Sequence, residues 1–120
     1  MTGREILDKA IALLGYTDSL GIAEMSGRIK SRAIPVINFI YSDLFYLLKK
    51  EGFVGIKALG DEIHLPERVL NDVFPYGVAA LIAQGESDGD QQQTYIQIYN
   101  DKRLGIARTG EIQDVLPVVW

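Results

Sequence analysis

The side chains that could take part in catalysis are few and scattered along this sequence. Its one histidine, His64, has no partners at the spacing of a zinc site or of a Ser-His-Asp arrangement. Neighbouring carboxylates occur at Asp61-Glu62 and at Glu86 with Asp88. A general acid–base pair needs a cleft that raises one pKa, whereas these carboxylates stand in hydrophilic turns. We therefore expect solvated surface at these positions and no enzyme activity.

One short motif resembles part of a calcium-binding loop, Asp88-Gly89-Asp90. An EF-hand loop that began at Asp88 would need a glycine in place of Gln93 and a bidentate acid in place of Tyr99. Both requirements fail, so a turn that caps the next helix is the better interpretation. The glycines between positions 52 and 60 are spaced for turns rather than for a phosphate loop, and there is no cysteine. The sequence predicts neither a metal nor a cofactor.

The charge balance argues against nucleic-acid binding. Twelve basic and sixteen acidic residues give a net charge of −4, whereas a nucleic-acid binder usually has a basic face. Arg28, Lys30 and Arg32 alternate, so on a helix they would spread around the surface as a solvated face. No apolar run approaches the roughly 20 residues of a membrane helix. We expect a single soluble domain that binds no membrane and no specific nucleic-acid sequence.

The first element that must position these side chains is a helix with clear signals at both ends. Thr2 and Glu5 have capping-box spacing, and Gly15 is a natural C-terminal stop. Between them lies an apolar stripe at helical spacing. Its members are Ile6, Leu7, Ala10, Ile11, Leu13 and Leu14.

The second helix is expected to be the longest. It begins between Glu24 and Arg32 and runs to Glu51, before Gly52. Pro35 either lies in the first turn of a helix that starts near Arg32 or kinks a longer helix. Because the apolar residues of this helix cover more than one face, we expect it at the centre of the domain.

Two prolines mark further helix starts. Pro66 is expected at the first position of one helix, and Pro75 at a break followed by a new start. Residues 78–83 are almost entirely apolar, so the core or a neighbouring subunit must bury this helix. Asp88 or Asp90 would then cap a last helix.

The last helix should run from about Gln91 to Leu104, after which helical signals fade. We expect a single helical domain over residues 1–110 and an extended C-terminal arm over residues 111–120. Each large apolar side chain of this arm left in water forgoes roughly 1.5–3 kcal/mol of burial. The arm should therefore dock on its own domain or on another chain, for example by adding a strand to a sheet edge.

Four stretches of the second half carry a resemblance to a known family. They are Leu65-Pro66-Glu67, Pro75-Tyr76-Gly77-Val78-Ala79-Ala80-Leu81-Ile82-Ala83, Glu86-Ser87-Asp88-Gly89-Asp90 and Tyr99-Asn100-Asp101-Lys102-Arg103. Over residues 33–104 the chain resembles small head-tail connector (head-completion) proteins of long-tailed bacteriophages and prophages. The resemblance is a pattern of helices and turns rather than a set of catalytic residues.

The resemblance implies a virion structural protein, assembled in the host cytoplasm, that forms a ring at the head-tail joint. The ring would connect the portal protein to a tail-side connector or tail proteins. In such proteins helices dock on the portal, and loops or terminal arms contact neighbouring subunits. Carried over to this sequence, the candidate interface residues are Phe53, Val54, Ile56, Ile63, Val115, Leu116, Val118, Val119 and Trp120.

The fold expected from all these signals is mainly α: a compact bundle of about four to five helices around a long central helix. Between positions 53 and 65 we expect a short β-hairpin or an irregular segment, because Gly60-Asp61 separates two apolar runs. The alternative function is a monomeric or dimeric protein-binding adaptor or regulator of phage or bacterial origin. In that case the arm would fold back on its own domain and no ring would form.

Overall fold

The computed structural model describes residues 1–17, 20 and 25–115, with side chains described as far as residue 107. In this part of the chain there are five helices, and the mainly α class is confirmed. They are α1 (Gly3–Leu14), α2 (Gly27–Leu47), α3 (Glu67–Asp72), α4 (Phe74–Gly85) and α5 (Gly89–Val115).

Helix α1 has the predicted boundaries. The Thr2 hydroxyl accepts a hydrogen bond from the Glu5 amide at 3.2 Å, and the Glu5 carboxylate accepts one from the Thr2 amide at 3.1 Å. Gly15 ends the helix in the left-handed conformation with φ 76°. Both caps satisfy backbone groups that a helix end leaves without intrahelical partners.

Pro35 lies in the interior of helix α2. Ser26 caps the helix by accepting from the Ile29 amide at 3.2 Å, so Pro35 lies well inside and the alternative start near Arg32 is wrong. The helix ends at Leu47, earlier than the predicted Glu51. The reason lies just beyond it, where Lys49 turns out of the helical conformation with φ 63°.

Helix α4, not α2, is at the centre of the bundle. It packs against each of the other four helices, although it has only 12 residues. Its small side chains let neighbours approach closely: a Cβ at Gly77 would stand 2.8 Å from Ile40 Cδ1 and 2.8 Å from Tyr99 Cε1. The expectation of a long central helix is therefore wrong. The apolar residues of α4 are buried by this chain's own core, which was one of the two alternatives.

The two prolines act near the predicted places. Pro66 directly precedes α3 instead of occupying its first position. Pro75 lies in the first turn of α4, after a break at Val73, which lies outside the helical region with φ −120° and ψ −52°. A proline is tolerated in a first turn because its missing N–H would have no intrahelical partner there.

Residues 53–65 form no β-hairpin and correspond to the irregular alternative. The chain turns at Asp61, whose carboxylate accepts from the Lys57 amide at 2.8 Å. Beyond the turn the backbone pairs with the N-terminus, where the Ile63 amide donates to the Met1 carbonyl at 2.9 Å. An isolated hairpin is marginal in water, and here the residues before α1 replace its second strand.

Asn38 on α2 fixes the start of the same segment. Its side-chain amide donates to the Ile56 carbonyl at 2.9 Å and accepts from the Ile56 amide at 2.8 Å. Gly55 makes the approach possible, since a Cβ there would lie 2.6 Å from the Asn38 side-chain oxygen. This pair of bonds holds Ile56 inside the core.

Helix α5 continues past its predicted end at Leu104 and runs to Val115. Residues 111–115 of the expected extended arm are therefore helical, while residues 116–120 lie outside the described residues. Glycine in a helix interior costs roughly 1 kcal/mol, but Gly105 does not end α5 because Ile106 packs against the core directly after it. With 27 residues α5 is about 40 Å long. The molecule measures 47, 29 and 23 Å along its three principal axes, so α5 must run along the longest of them.

Candidate protein interface

The two sides of helix α2 differ sharply in exposure. One side enters the core through residues at helical spacing, including Val36, Ile37, Ile40 and Leu44. On the other side the Phe39 and Tyr46 side chains are 67% and 56% exposed. These two aromatic residues are seven positions apart, so they lie on one face of the helix. Exposed aromatic residues that share a face are a common feature of protein interfaces.

Tyr46 is held in place by an aromatic cluster at the end of α2. Its ring lies 5.5 Å from the Phe45 ring and 6.3 Å from the Phe53 ring, measured between centroids. Phe53 also packs edge-on against Tyr41 at 5.1 Å. Edge-to-face pairs of this kind add roughly 0.5–1.5 kcal/mol beyond simple burial. The cluster therefore keeps the exposed Tyr46 ring in one position.

Between the two exposed aromatic residues, Asp43 connects α2 to α5. Its carboxylate accepts from Arg103 Nε at 2.7 Å and Nη2 at 2.8 Å, and from the Tyr99 hydroxyl at 2.7 Å. A bidentate arginine fixes orientation as well as distance. The network thus sets the separation of α2 and α5 beside Phe39 and Tyr46.

The pKa values of this network follow from its contacts. The Arg103 guanidinium holds the pKa of Asp43 below its usual 3.8, with a smaller contribution in the same direction from Tyr99. Burial, followed by the hydrogen bond to Asp43, raises the pKa of Tyr99 far above its usual 10. Asp43 is therefore charged and Tyr99 neutral throughout the physiological range, and the network is a fixed structural pair rather than an acid–base couple.

An open groove of about 470 Å³ runs along the outer face of α2, with Arg103 of α5 at its edge, and we call it the α2–α5 groove. Lys49, just after α2, also contributes to it. The other lining residues are Phe39, Ser42, Asp43, Tyr46, Leu47 and Arg103. Its apolar contacts come from Phe39, Tyr46 and Leu47, and the rest of its lining is polar or charged.

The interface residues expected between positions 53 and 63 are not brought together on the surface. Val54 is 74% exposed, but Phe53 is half-buried in the aromatic cluster. Ile56 and Ile63 are core residues, 5% and 2% exposed. They are not available to a partner in this fold. The two hydrogen bonds from Asn38 hold Ile56 in the core, and the backbone bond to Met1 does the same for Ile63.

The expected interface residues of the C-terminal arm have a different outcome. Val115 is the last residue of α5. The remaining four lie outside the described residues; they are Leu116, Val118, Val119 and Trp120. Their contribution to an interface stays a prediction.

The candidate acid–base residues have structural partners. Glu62 pairs with the N-terminal amine at 2.8 Å. Asp88 accepts from the Tyr16 hydroxyl at 2.9 Å and faces the Gln91 amide at 3.5 Å, so it is the one of the two predicted candidates that caps α5. Burial, followed by the bond to Asp88, raises the pKa of Tyr16 to about 12. His64 lies in an exposed loop, where its backbone amide donates to the Tyr41 hydroxyl at 3.2 Å.

No group of three or more histidine, aspartate or glutamate side chains could hold a metal ion in the part of the chain that the structure describes. No helix there is long and apolar enough to cross a membrane.

The basic residues of α2 do not form a patch. Arg28 pairs with Glu86 at 3.2 Å, and Lys30 is exposed. Arg32 donates to the Leu81 carbonyl at 3.4 Å, and its guanidinium fills the space that a side chain at Gly85 would take. Two of the three cations are thus used to hold the C-terminal end of α4.

The residues of the α2–α5 groove were all missed as interface candidates at the sequence level, among them Phe39, Asp43 and Arg103. A signal for Phe39 exists, because the core positions of α2 recur at 36, 37, 40, 41 and 44 and Phe39 falls outside that series. Asp43 and Arg103 are 60 positions apart, and nothing in the local sequence indicates that they meet.

Comparisons with protein-family models, with curated proteins and with solved structures found no match.

Proposed function

We propose that this chain is a structural subunit of a phage or prophage particle that forms a ring at the head-tail joint and connects the portal to the tail. The observation that carries the proposal is the α2–α5 groove, where Phe39 and Tyr46 remain in water beside a charged pair that fixes the helices. The resemblance of residues 33–104 to head-tail connector proteins is the reason for proposing a phage particle. The groove is the surface through which subunits would assemble.

The association in such a ring is head-to-tail. A heterologous contact joins two different surfaces of identical subunits, and it closes into a ring when the rotation between them divides a full turn. Repeating the contact around the ring buries the exposed aromatic residues of every subunit.

The charge of the chain is compatible with a channel through which DNA passes. Sixteen acidic and twelve basic residues give a net charge of −4, so few cations are available to hold phosphates. Arg28, Arg32 and Arg103 are each engaged in contacts with their own chain. A wall of this composition lets DNA slide rather than bind.

The test is to measure solution mass by light scattering over a range of concentrations and to image the largest species by negative stain. We expect rings with a central hole, either for the chain alone or after addition of a phage portal protein. A portal pull-down with a Phe39→Gln/Tyr46→Gln variant identifies the surface involved. A chain that stays monomeric with the portal and does not bind it would contradict the proposal.

The same groove favours one alternative, a monomeric or dimeric adaptor that binds a single partner protein. An adaptor would use Phe39 and Tyr46 for a partner of fixed stoichiometry and would form no closed ring at any concentration. The mass distribution separates the two functions, since a ring gives one large species and an adaptor gives a monomer or a dimer.

A further inference from the structure

We infer that the α2–α5 groove is the docking site for residues 116–120 of a second copy of this chain. This inference rests on the proposed function, because it names the contact that joins neighbouring subunits. Two observations carry it: the chemistry of the groove and the distance from the groove to the end of α5.

The chemistry of the groove matches the segment. Residues 116–120 are Leu-Pro-Val-Val-Trp, five residues without a formal side-chain charge. Phe39, Tyr46 and Leu47 offer aromatic and aliphatic walls to such a segment. A proline-containing segment packs well on aromatic walls because its extended backbone loses little freedom on binding. The Asp43–Arg103 pair is already satisfied internally, so it requires no charged partner from the segment.

The end of α5 is far from the α5 side of the groove. Arg103 lines the groove, and α5 continues from it to Val115. Twelve residues at 1.5 Å each place Val115 about 18 Å farther along the helix axis. Five residues span at most about 16–18 Å even when fully extended. A segment that reversed direction at once would bring only Trp120 back to the level of Arg103, so its own chain could reach the Arg103 side of the groove with that residue alone.

A second copy has no such restriction. Residues 116–120 of the second copy follow that copy's own α5, so they can approach the groove from solvent. The groove and the segment are different surfaces, so each copy offers one of each and the contact is heterologous. The contact leaves a free groove at one end of a pair and a free segment at the other, which is the condition for growth into a ring.

The test uses disulfide cross-linking, for which the absence of native cysteine is an advantage. A Ser42→Cys/Val119→Cys variant places one thiol in the groove and one in the segment. Mild oxidation should give a ladder of dimers and higher multimers on a non-reducing gel, at a rate at least about tenfold above that of the control. The matched control is Val54→Cys/Val119→Cys, whose first thiol is more accessible than one at position 42 but lies outside the groove, since Val54 is 74% exposed and Ser42 is half-buried.

The other outcomes overturn the inference. A cross-linked monomer of altered mobility means that the segment folds back on its own chain. A dimer formed by Ser42→Cys alone means that two grooves meet face to face. A rate equal to that of the Val54 control means that the segment does not visit the groove.

A second experiment separates failure of this inference from failure of the proposed function. One variant has a blocked groove (Phe39→Gln/Tyr46→Gln), and the other has a polar segment (Val118→Gln/Trp120→Gln). Each should stay monomeric alone, whereas their mixture should form a one-to-one dimer, because each retains the surface that the other lacks. If rings form with the polar-segment variant, the inference is wrong and the proposed function stands.

Discussion

Phe39 and Ile40 are neighbours in sequence, yet they belong to two regions with opposite character. Ile40 packs at the site where Gly77 lets α2, α4 and α5 approach one another, and it is 2% exposed. Phe39 faces the α2–α5 groove and is 67% exposed. The inner face of α2 therefore contributes to stability, while its outer face is free to contribute to association. Substitutions on the two faces should change different measurements.

The largest expected effect is at the centre of the bundle. Phe74 is fully buried at the start of α4, and Phe74→Ala should lower the free energy of unfolding by about 3–5 kcal/mol. Phe39→Ala removes the same side chain from the exposed face and should lower it by less than about 0.5 kcal/mol. Urea denaturation followed by circular dichroism measures both. Equal losses for the two variants would show that Phe39 is a core residue and that the comparison fails.

A smaller effect is expected from adding one methyl group where helices cross. Gly77→Ala should cost about 1–3 kcal/mol, because the new Cβ would meet Ile40 and Tyr99, which are themselves held by the core. Gly85→Ala, at the end of the same helix, meets only the far end of the flexible Arg32 side chain, which can move aside at the cost of its 3.4 Å hydrogen bond to the Leu81 carbonyl. Its cost should stay near zero, since alanine also favours the helix by up to about 1 kcal/mol. Thermal melts of the two variants give the comparison directly.

The Asp43 network should contribute less than the core. Asp43→Asn removes the charge that Arg103 faces and should cost about 1–2 kcal/mol at pH 7, because the pair is partly open to solvent. Asp8→Asn is the matched control: it breaks an exposed pair with Arg4 on α1 and should cost about 0–0.5 kcal/mol. A cost for Asp43→Asn no larger than that of the control would mean that the network does not hold α5 against α2.

The pH dependence of the same variant gives a separate prediction. The pKa of Asp43 is lower in the folded state than its usual 3.8, so the folded state favours the charged carboxylate. Its contribution to stability is present above about pH 4 and is lost as the pH falls through the folded pKa. The difference in unfolding free energy between the wild type and Asp43→Asn should therefore shrink between pH 4 and pH 2. A difference that stays constant down to pH 2 would contradict the assigned cause.

The sequence was informative wherever a local interaction decides the structure. The Thr2–Glu5 capping box, the stop at Gly15 and the break before Pro75 each depend on residues within one turn, and each was predicted. The turn before α5 likewise predicted a cap at Asp88 or Asp90, and Asp88 is the one that faces the Gln91 amide. These features follow from the geometry of helix ends, which a short stretch of sequence contains in full.

Features that depend on contacts between distant residues were not predictable in the same way. The long α2 has more apolar residues than α4, yet α4 is central because glycine and alanine allow close packing on every side. Residues 53–65 form no hairpin because the N-terminus takes the place of a second strand. The groove needs Asp43 and Arg103 to meet across 60 positions. Amphipathic patterns show which residues are apolar, but not which neighbour covers them.

The outer face of α2 also gives the most direct test of the central claim, that this face mediates association. The measurement is the solution mass by light scattering of the wild type, Phe39→Gln/Tyr46→Gln and the control Val54→Gln. We expect the wild type and Val54→Gln to assemble well above 13.3 kDa and the double variant to stay at that mass with an unchanged melting temperature. Assembly of the double variant to the same mass as the wild type would contradict the account.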